Sequence, residues 1–457
     1  MALTKIITNG ITDDAVTEAK LANAINTAVA ANTAKDLTAL SAANLTSGTI
    51  PDARFPATLP AASAANLTSV PAANITGTLP AISATNLTNV PAANITGTLP
   101  AISGANLTNL PASGKVTNLV GNGSMTVAQR SAGPNEAQGY GTVDRWKVTY
   151  GGQDQDPSQA QVDITSGTTP YTLGFRKAYK VINGNQTSGA GSGDYIRMHT
   201  HIEGQDVASS GWNYLSASSY ITLSFWVKSS IAQNFYGFLR ATDGTIYQYP
   251  FETGSLSANT WTKVTKTIPG NSNLTFTNDH TSSLDIWIHQ FAGTDQTDSG
   301  VTLNAWAAYN GSAKMPDNTS TWYTTNDATF ELTGVLLETG NSASNYPHES
   351  FGENLRKCQR YFHTLGLNSS GIGHSNTYYW FNTINQSSPQ YRRCRIDFPV
   401  TMRTAPTVSS STGNNNGVGG TPSGTQHGDR SHITFHWDAP SSGALVELTG
   451  ADFSADL

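Results

Sequence analysis

Apolar residues recur along this chain in three rhythms, which change near residues 40 and 115. In the first stretch Leu21, Ile25, Ala28 and Val29 fall at helical spacing, inside an Ala-rich run, 11–37, without Gly or Pro. Thr12, Asp13 and Asp14 supply a cap and an acidic first turn. The stripe is narrow, so a lone helix would be marginal in water. A short coiled coil with a small-residue seam suits it better, and a frayed arm is the competing reading.

The second rhythm has a period of 20 residues: LPAASAANLTSVPAANITGT (59–78), LPAISATNLTNVPAANITGT (79–98), then LPAISGANLTNLPASG (99–114). A looser copy occupies 41–58. Leu79, Ile82, Leu87, Val90 and Ile95 are separated by 3, 5, 3 and 5 residues, which is neither helical nor alternating. Prolines at 71, 80, 91, 100 and 111 exclude continuous helix and central ladder strands. The expectation is a run of short extended pieces, each placing one or two aliphatic side chains on an axis. One chain leaves that row wet. Three chains around a common axis close it, which argues for a homotrimer. A single-chain solenoid is the alternative. Asn-x-Thr recurs at Asn44, Asn66, Asn74, Asn86, Asn94 and Asn106 in phase with the repeat, so turn chemistry accounts for it without glycans.

Beyond residue 116 the period stops and strand-like alternation begins. Strands are expected at Asp144–Tyr150, Phe175–Asn183, Tyr195–Glu203, Ile221–Ser229, Asn234–Ala241, Thr245–Phe251, Thr260–Ile268, Ser283–Phe291 and Ala328–Leu337, separated by turns rich in Gly, Asn, Asp and Ser. So many short strands indicate a β-sandwich or jelly roll over 116–347. Residues 348–457 read as a small β-rich domain. It has a short helix within 348–362, with Leu355, Cys358 and Phe362 near one side. Strands are expected at Arg395–Val400 and His432–Trp437, with Tyr378–Phe381 as a further candidate, and an exposed loop at 414–428.

Composition sharpens this picture. Only 12% of the 457 residues are charged and 37% are hydrophobic, with Ser, Thr, Asn, Gly and Ala filling the difference. That mixture suits extended, hydrated β structure better than a helical enzyme. The net charge of −6 is mild and no basic stripe appears, so nucleic acid is not an expected partner. Nothing in MALTKIITNG resembles a leader, and no apolar run is long enough to span a bilayer. Cys358 and Cys394 lack the Cys-x-x-Cys spacing of a zinc or redox motif. They read as two reduced thiols, with a disulfide between them left open.

Several stretches carry a resemblance: NLVGNGSMTVAQR (118–130), YGTVDRW (140–146), HIEGQDV (201–207), ITLSFWVKS (221–229) and FELTGVLLETGNSASNYPHESFGENLRKCQRYF (330–362). In that order they are similar to bacteriophage tail-fibre and related virion appendage proteins, in which such a stretch resembles a carbohydrate-binding jelly roll. The ITDDAVTEAKLA opening and the repeats resemble fibre shafts of phages, cyanophages among them. The resemblance implies a structural virion protein attaching to host cells through surface polysaccharide. Residues 1–40 would plug into a tail, adaptor or nozzle protein, 41–115 would form the shaft, and assembly would occur in the host cytoplasm. A polysaccharide depolymerase tailspike, or a capsid or collar fibre of the same modules, is the alternative. Order of motifs identifies an appendage better than it identifies a ligand.

For a sugar, aromatic planes beside hydrogen-bonding groups are the relevant chemistry. Ile221, Leu223, Phe225 and Val227 share one strand face, leaving Trp226 and Lys228 on the other. Leu284, Ile286 and Ile288 likewise leave Trp287 and His289 opposite. If both aliphatic faces enter the core, Trp226, Lys228, Trp287 and His289 line the other surface. Packing beneath loops or against a neighbouring chain is the competing role for the tryptophans. His374, Tyr378, Tyr379 and Trp380 are a second candidate surface at the distal end, or a plain core strand. Tyr195, Arg197, His199, His201 and Glu203 also share a face; His-x-His with Glu203 is a weak metal pattern, and so is Asp154/Asp156. A solvated or intersubunit polar face is the preferred reading, so no metal or other cofactor is expected. GAGSGDY (189–195) reads as a turn, and neither a nucleophile elbow nor a His-Glu-x-x-His helix occurs. No carboxylate pair stands out for glycoside hydrolysis, so a non-enzymatic protein is expected.

Overall fold

The computed structural model describes residues 117–365, 379–381, 390–416, 427–439 and 445–457, and positions 25, 27, 28, 30 and 31, which are helical. Ile25, in the expected N-terminal helix, is 50% exposed. The repeat at 41–115 and the trimer it implies lie outside the described residues. Residues 117–457 belong to one compact unit.

Its first part is a mainly β, antiparallel, jelly-roll-like sandwich. The strands in chain order are β1 (Lys147–Gly151), β2 (Ser158–Asp163), β3 (Lys177–Ile182), β4 (Tyr195–Glu203), β5 (Tyr220–Ser229), β6 (Asn234–Ala241), β7 (Tyr247–Ser255), β8 (Thr262–Pro269), β9 (Ser282–Ala292), β10 (Ala307–Ala308) and β11 (Thr329–Thr339). Six form one sheet, in the order β1-β4-β9-β6-β7-β10. Five form the other, in the order β2-β3-β11-β5-β8. The alternation works as expected: Ile221, Leu223, Phe225 and Val227 of β5 meet Leu284, Ile286 and Ile288 of β9 in one core, all fully buried. Each such side chain contributes roughly 1.5–3 kcal/mol by leaving water. β2, SQAQVD, escapes the sequence reading because its apolar residues, Ala160 and Val162, are small or lone.

Two strands are buried on both faces, which alternation alone does not announce. β11 is laced to the entering segment: Val335 donates to Gly123 O at 2.9 Å and Leu119 to Leu337 O at 3.0 Å. β9 is covered on its outer side by the connection 293–320, whose Met315 packs on Phe238, Trp287 and Ala292.

The second part begins with the helix Phe351–Gln359, capped by Ser350 Oγ, which accepts from Glu353 N at 3.3 Å. Its strands are β12 (Phe362–Leu365), β13 (Tyr379–Phe381), β14 (Gln390–Asp397), β15 (Thr407–Asn416), β16 (His427–Gly428), β17 (His432–Ala439) and β18 (Leu445–Ser454). β18 pairs with β15, β12 and β13; β14, β17 and β16 form a three-stranded sheet. Phe398, Met402, Phe435 and Phe453 are among its core residues. The expected loop 414–428 is corrected at both ends, since 414–416 belong to β15 and 427–428 to β16. Main-chain pairing with Leu445 of β18, 29 residues further on, holds Asn416 in place without any apolar anchor of its own. Cys358 is free and buried.

Candidate functional site

The outer face of the six-stranded sheet is a lattice fixed by strand register. One row across the strands runs Lys147, His199, Trp287, Phe238, Pro250. The next runs Thr149, Arg197, His289, Tyr236, Glu252. On the other side lie His201, Asp285, Arg240 and Gln248. Each side chain faces outward because its neighbours in sequence, such as Ile196, Met198, Ile286 and Ile288, are claimed by the core.

The middle row is an aromatic floor. Trp287 stacks on His199 with ring centroids 4.0 Å apart and planes 19° from parallel, and on Phe238 at 5.7 Å and 11°. Two guanidinium groups lie over it, Arg197 at 4.4 Å and Arg240 at 4.9 Å. Arg197 also lies 4.4 Å from the Tyr195 ring. The floor itself is buried, whereas Tyr195, Tyr236, Tyr309, Arg197 and Arg240 are partly exposed above it.

Asp285 anchors one end. It accepts from Arg240 Nε and Nη2 at 3.0 and 2.6 Å, from His201 Nδ1 at 2.5 Å and from Ser282 Oγ at 2.7 Å. Burial alone would raise its carboxyl; these hydrogen bonds and charges outweigh burial and bring it down to about 2. Burial keeps His201 below the ordinary imidazole range despite Asp285. The neutral ring therefore carries its proton on Nδ1, toward a carboxylate that can only accept.

The other end is rich in positive charge. Burial lowers Arg197 to about 10 and, with Arg197 and Arg240 nearby, Lys314 to about 8. His289 is fully buried and held well below 6.5 by burial, Arg197 and Lys314. Neither of its ring nitrogens has a hydrogen-bond partner among the described residues.

The placement of the expected site residues is mixed. Trp287 and His289 belong to this face. Trp226 and Lys228 do not: β5 lies in the five-stranded sheet, so they sit on the opposite side of the sandwich. There Trp226 packs against the cluster of Ile164, Phe175 and Ala178, and Lys228 pairs with Glu331 at 2.8 Å. The expected single surface of four residues is therefore corrected to two. Alternation shows which side of a strand faces inward, and nothing in it assigns the strand to a sheet. Trp380 lies in β13 with its side chain outside the described residues, and Tyr378 lies outside them altogether.

Glu203 is also re-assigned. Register shifts between Ile202 and Glu203, and its carboxylate turns to Arg360 and Tyr361 instead of the histidines. Among the described residues, no three His, Cys, Asp or Glu side chains group as a metal site. Asp154 is satisfied by Ser188 and Thr187, and Asp156 by Tyr150 and Gln153.

Sequence reasoning missed Asp285, Arg240, Tyr236 and Lys314. Alternation through Tyr236, Phe238 and Arg240 could have found part of the set. Tyr309 and Lys314 come from a connection without periodicity and left no such signal. Elsewhere, a cavity of about 780 Å³ opens between segment 117–124 and the helix Phe351–Gln359. Of its charged lining, Lys357 pairs with Glu349 and Arg360 with Glu203.

No family model matches the sequence, and no curated protein matches it. Among solved structures, the enzymatically active domain of tailspike protein 4 of bacteriophage CBA120 is similar at 11% identity and a TM-score of 0.26, over 49% of this chain and 21% of that one. This chain thus spans about a fifth of that protein's length. A putative sugar binding protein from Bacteroides thetaiotaomicron matches at 12% identity and a TM-score of 0.25, over 49% of this chain and 100% of its own. The family 11 carbohydrate-binding module from Clostridium thermocellum, in complex with a β-1,3-1,4-mixed-linked tetrasaccharide, matches at 12% and 0.21, over 48% and 99%.

Proposed function

We propose that this protein is a non-enzymatic fibre of a phage particle that attaches to a host cell by holding a surface polysaccharide on the outer face of the six-stranded sheet. The observation that carries the reading is the arc of partly exposed Tyr195, Tyr236 and Tyr309, with Arg197 and Arg240 among them, above the buried stack of Trp287, His199 and Phe238. Sugar rings present apolar C–H faces and a rim of hydroxyls. Tyrosine planes receive the first, and guanidinium and phenol groups the second. Residues 41–115 form the trimeric shaft in this reading, which multiplies weak sites by avidity, and 1–40 the attachment to the particle.

Asp285 is not placed to act as the general acid of a glycosidase. A carboxylate held at about 2 by Arg240 and His201 has no proton to give a leaving group near neutral pH. The test uses the full-length protein and its Tyr309→Ala and Arg197→Ala variants in adsorption to host cells. Both variants should lose most cell binding while keeping the wild-type circular dichroism spectrum. Undiminished adsorption would move the site elsewhere. New reducing ends in polysaccharide incubated with the protein would establish the depolymerase alternative.

A further inference from the structure

We propose that the glycan this face takes is anionic, with a carboxylate or sulfate seated between Arg197 and Lys314. This rests on the glycan-binding reading and specifies its ligand class. The argument is one of charge balance within a single patch. Asp285 answers Arg240, with two hydrogen bonds, and has its remaining oxygen on His201 and Ser282. It has nothing left for the neighbouring cations. Arg197 donates Nε to Thr149 Oγ1 at 2.9 Å and otherwise meets only the faces of Tyr195 and Trp287. Its two Nη groups have no partner among the described residues. Lys314 donates to Gln296 Oε1, a neutral amide, at 2.6 Å. Neither cation has a carboxylate partner among the described residues, although the chain as a whole is acidic at −6.

With Asp285 given to Arg240 and Glu252 at the far end of the row accepting from Asn234, Arg197 and Lys314 are left as two cations that no carboxylate among the described residues answers. Burial first, and then the like charges of Arg197 and Arg240, lower the affinity of Lys314 for its proton. His289 lies in the same row as Arg197 and is fully buried, with both ring nitrogens unpartnered among the described residues. Buried polar groups are ordinarily satisfied, and an incoming acceptor would take the single N–H of the neutral His289 ring. A planar carboxylate fits the guanidinium fork edge-on, and a sulfate fits it equally well. Tyr195 and Tyr236 flank this position and are placed to receive the sugar ring that carries the anion.

The test is a glycan array holding neutral, uronate-bearing and sulfated oligosaccharides, probed with the full-length protein, followed by calorimetric titration of the strongest binder. Hits should concentrate on the anionic members, with uronate and sulfate arms distinguishing the two sources. Affinity should fall about tenfold or more in Arg197→Gln and in Lys314→Met, and should weaken with added salt. Lys314→Met relieves repulsion, so its melting temperature should equal or exceed that of wild type, which separates lost binding from lost folding. Arg197→Lys keeps the charge and loses the fork, and should fall between the two. Hits confined to neutral glycans would overturn the anionic assignment and leave the glycan-binding reading standing. Binding of no glycan at all would count against both. A change of oligomeric state in Lys314→Met, with glycan binding intact, would instead assign the cations to a second copy and overturn the proposal.

Discussion

Glu203 and Arg360 are 157 residues apart in sequence, yet the carboxylate of one takes Nε and Nη2 of the other at 3.0 and 2.8 Å. Glu203 ends β4 of the sandwich, and Arg360 follows the helix that opens the second part. Tyr361 OH and Gln205 Nε2 donate to the same fully buried carboxylate. Burial pushes its proton affinity up, but Arg360 and Tyr361 outweigh burial and hold it below the usual range. One carboxylate thus ties the two β assemblies together. Glu203→Gln leaves Arg360 without its counter-ion, and the expected loss is about 3–5 kcal/mol. Urea unfolding followed by tryptophan fluorescence measures it. A loss under ~1 kcal/mol would mean the junction is held mainly by its other contacts, such as Arg130 over Phe362.

Gly334 tests the sandwich itself. It sits at φ 63° where β11 shifts register between Thr333 and Leu336. A Cβ there would lie 2.6 Å from Phe175 Cζ, and Phe175 is buried. Gly334→Ala combines a left-handed backbone with overpacking, so about 2–4 kcal/mol should be lost. Thermal denaturation should show it, and Phe175→Leu should restore part of the loss if the clash is its main cause.

The buried histidines make stability depend on pH. His199 and His289 are held well below 6.5, first by burial and then by nearby positive charge. Unfolded, they titrate near 6.5, so below that pH the unfolded chain binds more protons. Stability from these groups therefore falls as pH drops through 6.5. Asp144 acts in the opposite sense, because burial raises its carboxyl to about 6. A comparison of wild type with His289→Leu isolates one histidine. Between about pH 7.5 and 5.5 the difference should move by about 1.4 kcal/mol in favour of the variant. A difference that does not change with pH would show that His289 titrates normally in the fold.

Cys358 should be inert in the native protein. It is buried and burial raises its thiol well above the usual range, so little thiolate forms. In a Cys394→Ser background, a disulfide-exchange reagent at mildly alkaline pH should label no thiol until denaturant is added. Stoichiometric labelling of the folded protein would contradict this packing.

How much of this was legible beforehand differs by residue. Tyr195–Glu203 and Asn234–Ala241 were read with their observed bounds, because period-two alternation is a local signal. Trp287 and His289 were placed on an outer face for the same reason. Their partners were not legible. The contact of Trp287 with His199 spans 88 positions, and its cover by Met315 depends on a connection with no pattern of its own.

The sequence by itself determined the three-part rhythm, the β class and which side of β5 and β9 enters the core. Each follows from side-chain periodicity and proline or glycine stereochemistry, which act between near neighbours. Tertiary structure alone decided that Trp226 and Trp287 lie on opposite sheets, that Glu203 leaves its strand face for Arg360, and that Asp285 is claimed by Arg240. These are pairings between distant strands, and sheet order, register and desolvation select them only once the chain has closed on itself.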